Sequence, residues 1–392
     1  MSTRGPALTL GVVVALVSGV TLGNGGANVM PVFVDDFAAR FDLSDSSAGL
    51  VAATQLMATA VVTLLLAERA ARPKRVRMVR VGLLLAALGF LGATAASDPV
   101  TLILANLMIG AGLGAVYAAA TAALAATDDA DKASAVTIAG TVCVTALLIV
   151  AVPLANHDLG EGAGFLLMAL CCAAAWPLVR HLPDGPAEPA TQDASAAPAG
   201  RPALLLLGGT ALLWAVTQGA WSYASVLGRE HTGLSHSAVS AVLAVSSVVA
   251  LGGAVIGPAA AHRFGRMRSM AAFVVTQAAA MAVLIVTHDG LLFVVAAVLW
   301  QTCQLAVLVQ TLAAAALIDP TGRLVASLSG AGALGTGIGP LAVGAVLDGA
   351  GAGVLGVLLA AGTFAASLPL LRMTVASTEA AGEQRQAVDS PS

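Results

Sequence analysis

Charge is almost confined to the gaps between long apolar runs, and that pattern limits what this chain can become. Apolar runs fall near 8–34, 46–67, 78–97, 100–126, 133–155 and 163–180, and again near 203–227, 238–261, 270–287, 290–318, 325–348 and 351–372. About 18 such residues cross a bilayer as a helix, because hydrocarbon offers the backbone no hydrogen-bond partner but itself. The sequence therefore predicts an all-α membrane protein of twelve transmembrane helices. Charged residues make up 10% of the chain, against about 25% in soluble domains. That is too few to coat a water-soluble globule of 392 residues. The first run is too long for a signal-peptide core and lacks a cleavage site.

With the N-terminus inside, 16 of the 18 Lys and Arg residues fall on the cytoplasmic side, leaving Arg40 and Arg229 outside. The positive-inside rule thus places both termini in the cytoplasm. Residues 181–202 are rich in Pro, Ala, Gly and acid with no periodicity, the composition of a flexible linker. The expected organisation is an N-terminal six-helix bundle over 1–180, a cytoplasmic linker over 181–202, a C-terminal six-helix bundle over 203–373 and a disordered cytoplasmic tail over 374–392.

A shift of 191 residues aligns the halves. Leu43-Ser44-Asp45-Ser46 falls on Leu234-Ser235-His236-Ser237. Arg72, Arg75 and Arg77 fall on Arg263, Arg266 and Arg268, and Asp128 and Lys132 on Asp319 and Arg323. A constant offset in so charge-poor a chain predicts duplicated bundles of the same orientation.

Twelve spans as a 6+6 repeat, a central linker and a basic loop after the second helix of each half resemble the major facilitator superfamily. The loop Ala261-His262-Arg263-Phe264-Gly265-Arg266-Met267-Arg268 is similar to that family's D-R-x-G-R-R motif, with His262 in place of the acid. Asn106 to Gly114 resembles its R-x-x-x-G-x-G motif, with Asn106 in place of the arginine. Gly335 to Gly344, with Gly339-Pro340, resembles the G-x-x-x-G-P motif of its drug and small-molecule exporters, although in span eleven rather than span five. The resemblance implies alternating access by a monomer, a cavity lined by spans one, four, seven and ten, and gating loops at Arg72, Arg75, Arg77, Arg263, Gly265 and Arg266.

Polar side chains inside a span are costly unless they face the bundle interior or a wet cavity. In span one, Thr21, Asn24, Asn28, Pro31 and Asp35 recur at helical spacing on one face. Span four contributes Asn106 and Tyr117; span seven Trp214, Gln218, Trp221 and Ser225; span ten Trp300, Gln301 and Gln304. The substrate-binding set read from these is Asn24, Asn28, Asn106, Tyr117, Trp214, Gln218, Trp221, Trp300, Gln301 and Gln304. Packing offers the alternative: amides can tie helices together, and indoles can anchor at an interface.

No Asp, Glu, Lys, Arg or His lies at mid-depth in any span. A strongly charged substrate would find no countercharge, so a small neutral or amphiphilic molecule is the expected ligand. Asp35 and Asp36, at the outer end of span one, are the candidate proton-coupling groups, with a solvated helix-end pair as the alternative; His236 and His262 read as surface residues. Cys143, Cys171, Cys172 and Cys303 all sit inside apolar runs, without the spacing of a metal site or a disulfide framework. No metal or cofactor is expected. Net charge −3 disfavours nucleic acid, and no histidine stands beside a mid-span nucleophile, which disfavours an enzyme. The reading is a proton-coupled exporter in a bacterial inner membrane. Uptake of a neutral nutrient by uniport or symport is the alternative, and a transport-inactive sensor or scaffold is the alternative of another class.

Overall fold

A computed structural model describes residues 7–184, 201–319 and 323–389. Among these residues the structure is helical, with no strand. Ten helical stretches are long and apolar enough to cross a membrane. The bulk of the predicted linker, residues 185–200, lies outside the described residues, as do 390–392.

The first apolar run is broken into α1 (Leu10–Gly23), the single turn α2 (Gly25–Asn28) and α3 (Met30–Phe41). Then follow α4 (Asp45–Ala70), α5 (Arg75–Ala95), α6 (Pro99–Leu124), α7 (Ala130–Leu159) and α8 (Ala163–Leu178). After the undescribed segment come α9 (Arg201–Thr232), α10 (His236–Val249), α11 (Leu251–Phe264), α12 (Arg266–Val286), α13 (Gly290–Ile318) and α14 (Arg323–Asp389). Gly351, at φ 79° and ψ 174°, breaks α14 between the last two apolar runs; a positive φ of this kind is open to glycine alone at little cost. Residues 374–389 continue α14 as helix, consistent with their Ala and Glu content.

Helix starts repeat at the spacing seen in the sequence. Ser44 caps α4 by accepting the Ser47 N–H at 3.4 Å, and Ser235 caps α10 by accepting that of Ala238 at 3.2 Å. Asp98 and Asp289, also 191 residues apart, cap α6 and α13. The bounds of α5 and α12 differ by the same offset at both ends. Capping residues supply acceptors for the free N–H groups of a first turn, so their recurrence marks repeated local structure.

Large apolar side chains such as Leu65, Val81, Leu104, Leu147 and Leu170 are exposed on the outside of the bundle, as a lipid-facing surface requires. Inside, glycines set the closest approaches. Gly110 and Gly114 lie against the α4 carbonyls of Gln55 and Thr59, and Gly112 against α5 at Gly82 and Ala86. The stretch before residue 185 meets the stretch after residue 200 along α3 with α9, α7 with α10, and α4 with α14.

Candidate functional site

Pro31 decides the geometry of the first helix. Lacking an N–H, it cannot donate to the carbonyl of Ala27, four residues earlier. Val32 bonds to the Val29 carbonyl at 3.1 Å, which leaves the Asn28 carbonyl free as well. Both orphaned acceptors are taken by α9: Gln218 Nε2 donates to the Ala27 carbonyl at 3.0 Å, and Trp221 Nε1 to the Asn28 carbonyl at 3.1 Å. A broken helix in one stretch is thus completed by side chains of the other.

One turn further along the same faces lies an ion cluster. Asp35, whose side chain is 2% exposed, pairs with Arg229 at the end of α9. Ser225 Oγ lies 3.4 Å from the same carboxylate, and His236 Nε2 lies 3.3 Å from it at the start of α10. Next to this cluster Tyr223 donates its hydroxyl to the Asp45 carbonyl. A Cβ on Gly49 or Gly344 would strike that hydroxyl. Asp348, in α14, accepts from the Asp45 and Ser46 N–H groups at 3.1 and 2.9 Å. It caps α4 from across the bundle, where the helix dipole favours an anion. These side-chain bonds between the two stretches gather at one end of the molecule, the Asp35 end.

The two neighbouring acids do different work. Asp36 points into its own stretch, where it accepts from Asn156 Nδ2 at 2.8 Å; Asn156 Oδ1 in turn holds the Gly164 N–H at 2.7 Å. Asp35 alone faces across. His236, read from the sequence as a surface residue, keeps a 42% exposed side chain, and the cap at Ser235 starts α10 in a direction that brings its imidazole to Asp35. Arg229 was counted only as a loop charge. Its signal was present, because Gln218, Trp221, Ser225 and Arg229 continue one helical face at steps of three and four.

The remaining candidates separate by burial. Asn24, Tyr117, Trp214, Gln301 and Gln304 are half-buried. Asn24 donates to Asn28 Oδ1 at 3.3 Å, and Asn28 donates to Thr145 Oγ1 at 3.3 Å. Asn106 is fully buried and donates to the Leu102 carbonyl at 2.9 Å, one turn back on its own helix. Trp300 is also fully buried. Its ring meets Trp221 edge-on at 6.2 Å, so it backs that indole and leaves no free face. Gln310, unlike the other two glutamines of its helix, is structural: it accepts from Ser269 Oγ at 3.1 Å and donates to the Gly257 carbonyl at 3.3 Å.

Of the residues expected to form gating loops, Arg75 is buried. It donates to the carbonyls of Ala70, Ala71 and Pro183 at 2.6, 3.1 and 3.1 Å, and its N–H donates to Asp184. It ties the start of α5 to the chain just after α8. Arg72, Arg77 and Arg263 are exposed, Arg263 lying 5.4 Å over the ring of Phe264. Gly265 has φ 86° and precedes the half-buried Arg266. The glycines resembling the exporter motif have two faces. Gly335 and Gly339 sit on the α9 backbone at Ala211 and Ala215, while Gly337 and Gly344 sit on α4 at Met57 and Asp45. Among the described residues, no group of three or more His, Cys, Asp or Glu is arranged to hold a metal ion.

The sequence profile of the Major Facilitator Superfamily matches residues 14–321. The chain belongs to that superfamily. It is therefore a multi-pass membrane transporter and not an enzyme. Solved structures agree on the fold. A bacterial homologue of the human lysosomal transporter Spinster, inward-facing and occupied, is 17% identical with a TM-score of 0.68, over 94% of this chain and 93% of that one. The nucleoside transporter NupG is 13% identical with a TM-score of 0.73, over 93% and 99% of the two chains. A peptide transporter, POT, in complex with sulfate is 11% identical with a TM-score of 0.75, over 96% and 97%. No curated protein matches by sequence.

One consequence of the broken helix is testable directly. Pro31→Ala restores a donor for the Ala27 carbonyl, so exchange of backbone amides over residues 24–33 for deuterium is expected to slow. Gln218 loses its acceptor, at a cost of about 1 kcal/mol. Unchanged exchange would assign the break to Gly25 and Gly26 instead.

Proposed function

We propose that this superfamily member is a proton-coupled exporter of a small neutral or amphiphilic organic molecule. On this reading it has twelve spans in two bundles of six, with the first span broken at Asn24–Val29 and the last two meeting at Gly351. Both termini are cytoplasmic, because that arrangement gathers the basic loops on one side. The Asp35 end is then the outer end, closed, and the substrate reaches the cavity from the cytoplasm.

The observation that carries this reading is that Asn24, Tyr117, Trp214, Gln301 and Gln304 are each left half-buried, with no Asp, Glu, Lys, Arg or His among them. Aromatic faces beside amides suit a flat molecule with a few hydrogen-bonding groups, and nothing there would neutralise a phosphate or a dicarboxylate. Gln218 and Trp221, engaged with freed carbonyls in this state, return to the cavity wall when the outer end opens. Asp35 supplies the coupling. Paired with Arg229 it is held closed as a carboxylate; reached by an external proton, it releases the cation and lets the outer end part.

Cellular accumulation of a broad compound panel in an efflux-deficient host tests this reading. Lowered accumulation of one or more compounds is expected, abolished both by a protonophore and by Asp35→Asn. Raised accumulation would reverse the direction and make the protein an importer. Lowered accumulation that survives Asp35→Asn would keep the exporter and remove Asp35 from coupling.

A further inference from the structure

We infer that a groove between the start of α5 and the end of α8 binds the headgroup of an anionic phospholipid. The groove, of about 440 Å³, is lined by Lys74, Arg77, Arg80, Trp176 and Asp184, with Val81 below them. Three cations face one carboxylate, whose Oδ1 accepts the Arg75 backbone N–H at 2.6 Å. The site therefore presents excess positive charge to whatever enters it.

Arg80 is the centre of the argument. Its guanidinium lies 5.9 Å over the Trp176 ring, yet its Nε is buried and has no hydrogen-bond partner. A buried cationic donor without an acceptor is costly, and a phosphate oxygen is the acceptor an arginine fits best. Below the basic residues the same face of α5 continues as Val81, Leu84, Leu88 and Leu91, which are 58, 51, 49 and 46% exposed. Their spacing of three and four forms one unbroken apolar track, and Leu166 and Leu170 are exposed on α8. Phosphate-binding charge directly above a track for acyl chains, with an indole at the level between, is the chemistry of a membrane-embedded anionic lipid and not of a soluble anion.

The test uses the full chain released from nanodiscs of mixed phosphatidylglycerol and phosphatidylethanolamine, read by native mass spectrometry. Wild type is expected to retain phosphatidylglycerol in preference to phosphatidylethanolamine. Arg77→Gln/Arg80→Gln should lower that retention at least fivefold, and Arg268→Gln/Arg372→Gln, which changes two exposed arginines elsewhere, should leave it unchanged. Equal retention in the two double variants, or no preference for the anionic lipid, overturns the proposal. Displacement of the lipid by millimolar inorganic phosphate would make this a free-anion site and overturn the lipid assignment. Should the groove variant not fold, acyl-brominated lipids in wild type and Trp176→Phe give a second reading. Quenching assigned to Trp176 should be stronger with brominated phosphatidylglycerol than with brominated phosphatidylethanolamine, and equal quenching overturns the site.

Discussion

Asp35→Asn is expected to shift the protein towards an open Asp35 end by about 5- to 150-fold, the range of a typical coupling free energy of about 1–3 kcal/mol. The carboxylate accepts from Arg229 and Ser225, with His236 Nε2 3.3 Å away, and an amide keeps the shape but not the charge. Charge-assisted hydrogen bonds contribute about 1.5–3 kcal/mol when both partners are shielded. Arg229 is 35% exposed, so water weakens its part, which extends the expected range down to about 1 kcal/mol. The readout is the distance between spin labels at Ala39→Cys and Ser237→Cys, both exposed positions beside the cluster, after replacement of the four native cysteines. A longer distance is expected in the variant. An unchanged distribution would mean that the hydrogen bonds at Asp348, Tyr223, Gln218 and Trp221 close this end without help from the ion cluster.

Gly335→Val is expected to abolish folded, transport-active protein. A Cβ at this position would fall on the Ala211 carbonyl oxygen of α9. That atom belongs to a helix backbone and cannot swing aside as a side chain would, so the two helices must separate. Overpacking costs about 1–3 kcal/mol even where neighbours can adjust, and here the displaced contact is shared by Gly339 at Ala215. Gly349→Val is the matched control: it lies in the same helix with open space around it. Folded yield and melting temperature in detergent should collapse for Gly335→Val and hold for Gly349→Val. Equal behaviour would mean that α9 and α14 have slack that the static packing does not reveal.

The all-helical, membrane-spanning character was legible because the bilayer imposes length and composition on each helix, independently of partners, and ten stretches meet that requirement. The repeat was legible for a similar reason: caps such as Ser44 and Ser235 are local and recur at fixed spacing. What joins the two stretches was harder to read, because it depends on which faces meet. Asp35 stood out as an acid on a polar face, whereas Arg229 and His236 looked like ordinary loop charges until α9 and α10 placed them. Pro31 was noted as one member of a polar face, and its missing N–H explains more of the site than its position does. Asn106 and Trp300 show the reverse. Their types suggested contact with a ligand; in this structure both are buried, Asn106 donating to its own helix and Trp300 meeting Trp221, while Asn106 Oδ1 and Trp300 Nε1 have no hydrogen-bond partner.

Alternating access is the central claim, and paired distances at both ends test it most directly. One label pair is Ala39→Cys with Ser237→Cys at the Asp35 end; the other is Lys132→Cys with Ile318→Cys, exposed positions at the ends of α7 and α13. Acidification, or addition of a transported compound from the panel, should lengthen the first distance and shorten the second in the same sample. Distances that stay fixed at both ends, or that lengthen together, would contradict a transporter that opens to one side of the membrane at a time.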